Sequence, residues 1–242
     1  APAAAVKLLS LLREECGDRV SAFEIISRRC VELVLAHVPG TREPLADAHP
    51  WYVLAELAEA SADGPLQGEF ERAMAHAAER GLILDAAIAA SGAQRDALWR
   101  IRETIPEASR SEGLLYRHDI SLPVSRIPEF IAEGGAALER AFPGARLICF
   151  GHLGDGNLHY NCFIPGRDHT DPAALAATDV NRTVLDVVRR FGGSFSAEHG
   201  IGQAKREELK RYKSPIEIEL MRALKRALDP RGIMNPEKVL PD

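Results

Sequence analysis

The chain has 242 residues, of which 46% are hydrophobic, and a formal charge of −5 from 30 basic and 35 acidic side chains. That length buries a core without disulfide or metal staples, as one large domain or two small ones. No Arg/Lys block stands out, which argues against nucleic acid and anionic membrane as partners, and no apolar run approaches the ~18 residues of a transmembrane segment. The cysteines Cys16, Cys30, Cys149 and Cys162 form no CxxC pair. They predict free, packed thiols in a reducing compartment: the cytoplasm, the periphery of a membrane or, in a eukaryote, the mitochondrion. The start Ala1-Pro2-Ala3 runs almost at once into a helical pattern, as expected of a cut inside a longer protein.

Residues 3–15 crowd Val6, Leu8, Leu9, Leu11 and Leu12 at helical spacing. A strand is predicted at 19–26 and a helix at 27–37. Pro39 to Pro50 reads as a loop and Trp51 to Ala60 as a strand. A turn at Ser61 to Pro65 leads to a helix at 66–80, stopped by Gly81. Leu82 to Ala90 reads as a strand and 93–111 as a helix that Pro106 should kink or break. The second half is more regular. Strands are predicted at 114–122, 145–151, 158–164 and 194–198. Helices are predicted at 127–140 and from Asp171-Pro172 to about Arg190, with Pro at the first helical position. The order from 114 to 198 is βαββαβ, the ferredoxin-like pattern. The first half looks like a partial copy of it. The expected fold is therefore α+β: ferredoxin-like units sharing a mainly antiparallel sheet, with helices on one side. A helix at 215–228 and a tail through Asn235-Pro236 follow.

The chemistry concentrates in Gly151-His152-Leu153-Gly154-Asp155-Gly156-Asn157-Leu158-His159-Tyr160-Asn161. Asp-Gly between two short strand-like runs is a hairpin signal, because the tight turn needs positive φ. With a loop at 153–158, His152 and His159 face each other, with Cβ atoms roughly 4.5–5.5 Å apart. Two imidazoles at that distance can meet one metal ion, at bonds of about 2.0–2.1 Å. Asn161 joins the same face, two residues on. A plain polar hairpin and a phosphate cradle are the alternatives. No Lys-Ser/Thr follows the glycines, which argues against a P-loop.

Ser196-Ala197-Glu198-His199-Gly200 comes at the end of the last predicted strand. Glu198 would complete a set of two histidines and one carboxylate with open positions, suited to zinc and also to Mn²⁺ or Fe²⁺. His199 would then be free to act as a base. Consecutive strand residues point to opposite faces, so both reach one site only if the backbone leaves strand geometry there. The plain alternative is a polar strand end whose Glu pairs with a Lys. Arg102 and Arg117 each carry a fork that binds carboxylates, although most arginines are solvated. His118 and Asp119 show no usable pattern.

Taken together, the 151–159 motif, Ala197-Glu198-His199-Gly200-Ile201-Gly202 and Leu228-Asp229-Pro230 to Asn235-Pro236 resemble the C-terminal half of the FAD-linked oxidases. That family includes D-2-hydroxyglutarate dehydrogenase, cytochrome-type D-lactate dehydrogenase and the glycolate oxidase flavin subunit. The ending His159-Tyr160-Asn161 looks closer to the first two. The resemblance implies a domain filling residues 1–242: a cap and substrate region at about 1–200, then a C-terminal helix and flavin-approaching tail at about 205–242. FAD would be bound mainly by an N-terminal domain for which no counterpart is seen here. His152, His159 and Glu198 match the family's metal ligands, usually zinc, and His199 matches the proposed base. Arg102 and Asn161 match substrate positions, and Asn235 matches the tail that approaches the flavin. Arg117 stands where the family usually has Lys, which leaves its role open. The implied reaction oxidises a D-2-hydroxy acid, D-2-hydroxyglutarate or D-lactate, to the 2-oxo acid. Electrons would pass to an acceptor protein or to a quinone or cytochrome, and a homodimer is compatible. Residues 1–242 alone should then be inactive. A metal-dependent hydrolase and a metal-stabilised interaction domain without chemistry are the rival classes.

Overall fold

A computed structural model describes residues 1–60, 64–172, 174 and 177–241. In chain order the elements are α1 (Pro2–Cys16), β1 (Val20–Ser27), α2 (Arg28–His37), β2 (Trp51–Leu57), α3 (Leu66–Glu79), α4 (Gly92–Ala108), β3 (Leu115–Tyr116), β4 (Asp119–Ser121), α5 (Ile127–Ala141), β5 (Arg146–His152), β6 (Asn157–Phe163), α6 (Thr178–Arg190), α7 (Arg206–Tyr212) and α8 (Pro215–Leu228).

The strands form one antiparallel sheet in the order β2-β1-β5-β6-β3, with β4 also on β6, so β3 and β4 together line one edge. The β5–β6 hairpin is its centre. Asp155 Oδ1 accepts from the Asn157 amide at 3.0 Å and tightens the turn. Gly156 has φ +84°, and a Cβ there would lie 2.1 Å from the Leu122 carbonyl oxygen, so no larger residue fits.

The expected α+β fold is observed, and the second half follows the ferredoxin-like path. The chain runs from β4 through α5 to β5, returns as β6 between them, and crosses through α6 to the outer side of β4. There the last predicted strand, 194–198, is reduced to one bridge between Ser194 and Ser121, with bonds of 2.8 and 3.0 Å. Leu82 to Ala90 is not a strand either. It pairs with no strand among the described residues, and Leu84 and Ile88 stay exposed. Alternation makes a segment fit for a sheet, but a strand exists only through its ladder.

The helices lie on both faces of the sheet, rather than on one. Leu8, Leu12, Ala73, Phe130, Val184 and Val188, from α1, α3, α5 and α6, pack on Phe23, Ile25, Cys149, Leu158, Tyr160 and Cys162. On the opposite face α2 and α4 cover Ile26, Ile148 and Phe150 with Val31, Val34, Ile101 and Ile105. That second layer stops short of β6 and leaves part of the face open. Pro106 is accommodated inside α4, which ends two residues later. Of the helix expected from Asp171, Thr178–Arg190 is formed, while residues 173, 175 and 176 lie outside the described ones, as do 61–63 of the predicted turn. The short helix α7 was not foreseen. No helix among the described residues is long and apolar enough to cross a membrane.

Candidate active site

The open face carries the polar side chains that strand alternation sends there. On β6 these are His159 and Asn161, and on β5 His152, with the apolar ring of Phe150 on the same face. Across the neighbouring pairings stand Glu24, opposite His152, and Asp119, opposite His159. The hairpin register differs from the expected one. His159 pairs with Phe150, so His152 sits diagonally, two residues along the same face. The hairpin closes over a shorter turn than 153–158, because β5 runs on to His152 and β6 begins at Asn157. The two imidazoles still converge, with ring centroids 6.3 Å apart.

Glu198 and His199 both reach this face because the backbone there is bent rather than extended. Asp119 is the cause. Its Oδ2 accepts from three successive amides, Ala197 at 3.1 Å, Glu198 at 3.0 Å and His199 at 2.9 Å. Burial is the largest single influence and works to raise the Asp119 pKa, but the amides of His199 and Glu198 together with nearby charge such as that of Lys205 hold the carboxyl below its ordinary range. Lys205 braces the same bend, donating to the Phe195 carbonyl at 3.2 Å and to Ser196 Oγ at 3.3 Å. Among the described residues Glu198 pairs with histidines and with no lysine. Its Oε1 lies 3.2 Å from His159 Nε2 and 3.7 Å from His199 Nε2, and its Oε2 lies 4.0 Å from His152 Nε2. The His199 ring stacks over His159 at 5.6 Å and is 61% exposed.

Donor atoms of Asp119, His159, Glu198 and His199 all lie within 4.8 Å of one another. Asp119 is the most enclosed of that group: Oδ2 is committed to three amides, and Oδ1 is buried without a hydrogen-bond partner. His152 completes a better set. Its Nδ1 lies 2.5 Å from Glu24 Oε1, which leaves Nε2 facing Glu198. A carboxylate behind a histidine is the usual support for a ligand imidazole. His152, His159 and Glu198 thus present two nitrogens and a carboxylate, a donor set that suits a divalent ion such as zinc. Burial, then the nearby Arg102 charge, depress the His159 pKa and favour the neutral ring that a metal needs. The cysteines offer no ligands: all four are buried, and burial pushes Cys30 and Cys162 up to about 12.

Arg102 is 8% exposed, donates from Nε to Glu24 Oε2 at 2.6 Å and lies 4.7 Å above the Phe150 ring. The register between β3–β4 and β6 puts Arg117 opposite Asn161, on the site face, where it is exposed. Asn161 has only its carbonyl oxygen engaged among the described contacts, by the His118 amide at 3.1 Å. Asn235 is exposed, with φ +46°, and its carbonyl oxygen accepts from the Lys238 amide at 3.3 Å. Its tail is tied beside the His199 loop, through Val239 N to the Gly202 carbonyl at 2.7 Å and Lys238 Nζ to Gln203 Oε1 at 2.7 Å. Glu24 and Asp119 were missed from sequence. For Glu24 the signal was present: a lone carboxylate inside the apolar run Phe23 to Ile26.

The family model of FAD linked oxidases, C-terminal domain, matches residues 2–239. The chain belongs to that family. It is 40% identical over 223 residues to D-2-hydroxyglutarate dehydrogenase of Xanthomonas citri pv. viticola, covering 91% of this chain and 46% of that protein. It is 36% identical over 235 residues to the mitochondrial D-2-hydroxyglutarate dehydrogenase of Arabidopsis thaliana, covering 97% of this chain and 40% of that protein. The chain thus spans less than half the length of these relatives. Its fold is shared with p-cresol methylhydroxylase, solved with substrate bound, at a TM-score of 0.63 and 15% identity over 98% of this chain and 50% of that one.

Proposed function

We propose that this chain is the metal- and substrate-binding part of a flavin-dependent D-2-hydroxy acid dehydrogenase, with D-2-hydroxyglutarate as substrate. The observation that carries the reading is the convergence of His152, His159 and Glu198 on one open face, with Arg102 behind them and Arg117 at the edge. The relatives' names supply the substrate. Two arginines on one face suit a dicarboxylate, each able to take one carboxylate end. Family membership favours this reading over a metal-dependent hydrolase or an interaction module.

A divalent ion held by His152, His159 and Glu198 would supply Lewis acidity toward the substrate's hydroxyl, and FAD would supply the acceptor for hydride. The residues of this chain do the rest. Arg102, fixed by Glu24 and Phe150, anchors carboxylate. Arg117 takes the second carboxylate. The Asn161 side-chain amide is placed to bind substrate oxygen. His199 takes the hydroxyl proton on its ring nitrogen, and its exposure leaves room for substrate and for a flavin wall contributed largely by another domain. Asn235 belongs to the tail on that flavin side. In a eukaryote the mitochondrion is the expected compartment, as for the Arabidopsis relative.

The test is zinc binding to the chain, followed by competition with a chelator. About one ion per chain is expected, as for a mononuclear site. The double variant His152→Ala, His159→Ala should lose it; undiminished metal in that variant sinks the site. In the complete flavoenzyme, His199→Ala should lower kcat by roughly 10²–10⁴-fold and keep the ion. Loss of the ion with His199 would make it a ligand instead.

A further inference from the structure

Glu24 is a deeply buried carboxylate of the site, at 1% exposure, in the middle of β1. It meets two partners from distant parts of the chain: His152, directly opposite on β5, and Arg102, on α4. We propose that Glu24 is a positioning residue that serves both halves of the site, fixing the ring orientation and tautomer of His152 with one oxygen and the fork of Arg102 with the other. The metal arm of this proposal rests on the ion site assigned above.

The argument is one of donors and acceptors. An ionised carboxylate only accepts, and an arginine only donates. Glu24 Oε2 is taken by Arg102 Nε–H at 2.6 Å. Its Oε1, 2.5 Å from His152 Nδ1, requires a hydrogen on that nitrogen. A neutral imidazole with hydrogen on Nδ1 has a bare lone pair on Nε2, the atom that faces Glu198 at 4.0 Å. A simple ion pair would account for Arg102 alone. It would not need the cross-strand histidine on the second oxygen.

Glutamine at this position has the same shape but one acceptor and one donor group, so it cannot serve both partners. If its oxygen stays with Arg102, its NH₂ faces His152 Nδ1, which must then accept, and the ring hydrogen moves to Nε2. If the amide is reversed, Arg102 Nε–H confronts an NH₂ and the fork is released.

The experiment is nitrogen NMR of the chain labelled in histidine and arginine, recorded at alkaline pH, where imidazole is neutral. His152→Asn assigns the resonances. Zinc affinity is measured on the same samples by chelator competition. The wild-type chain should show His152 as the Nδ1–H tautomer. In Glu24→Gln either the tautomer switches or the Arg102 Nε–H resonance moves, and zinc binds about 10–100-fold more weakly where the tautomer switches. Glu24→Asp, with both acceptors kept, should retain the Nδ1–H tautomer. A wild-type chain carrying the Nε2–H tautomer overturns the proposal, without any variant having to fold. So does a folded Glu24→Gln chain in which both resonances are unchanged. If zinc fails to bind the wild-type chain while Glu24→Gln still switches the tautomer, the ion site falls and the positioning role of Glu24 stands.

Discussion

The two faces of the central hairpin are made from alternate residues of the same strands, yet they follow opposite rules. One face presents Cys149, Leu158, Tyr160 and Cys162, all at 0% exposure, to the helices α1, α5 and α6. The other presents Phe150, His152, His159 and Asn161, and only its far end is covered, by α2 and α4. The closed face holds the fold together through dispersion and water exclusion. The open face carries polar groups, several of them buried, such as Glu24, Asp119 and Asn161, and orients them by ion pairs and amide bonds that offset the cost of burial. Because a strand alternates with period two, one residue's shift would exchange the two faces, so the core face also sets the register of the site. The stability of one face is the geometry of the other.

Leu158→Ala should break the comparison hardest. Leu158 is fully buried beside His159, and its loss should destabilise the chain by about 2–5 kcal/mol. His159→Ala, its neighbour, should leave the denaturation midpoint nearly unchanged and remove the metal. Paired urea titrations and zinc measurements read both effects; similar midpoints for the two variants would mean that the faces are not divided in this way.

His118 gives the next effect, through pH. Its ring is buried on the closed side, with Nδ1 donating to the Tyr160 carbonyl oxygen at 2.9 Å and Nε2 3.1 Å from the Asn181 side-chain amide. Burial lowers its pKa from 6.5 to about 4. Above 6.5 the ring is neutral in both folded and unfolded chains, and stability is complete. As pH falls below 6.5 the unfolded chain takes up a proton that the folded chain refuses. Stability is therefore lost between about 6.5 and 4, by up to about 3 kcal/mol. In His118→Asn this loss should vanish. A stability difference between the two chains that stays flat across that window contradicts the assignment.

The smallest effect lies under α5, where Gly134 touches the closed face. A Cβ there would come 2.8 Å from Tyr160 Oη, too close for contact. Gly134→Ala should gain helix propensity of about 1 kcal/mol but lose about 1–3 kcal/mol to overpacking. Tyr160→Phe removes the offending oxygen, so the penalty should shrink in that background. Additive effects of the two substitutions in a double-mutant cycle would show that the ring has moved aside.

Much of this was legible from residue order. The spacing of Leu8, Leu9, Leu11 and Leu12 defines α1, and Asp155-Gly156 between two short strand-like runs marks the hairpin, although its turn is shorter and its register different from the expected ones. The histidines and Glu198 were visible because metal-binding residue types stood beside glycine turns. What depended on tertiary structure was every relation between residues far apart in sequence. No local pattern tells Leu82 to Ala90 that it finds no ladder, or Ser194 that its strand shrinks to one bridge. None reveals that Asp119 gathers three amides from 197–199, or that Glu24 meets His152 across 128 positions and Arg102 across 78. Periodicity follows from chain geometry and is written locally. Pairing follows from which surfaces exclude water together, and that is decided only when the whole sheet closes against its helices.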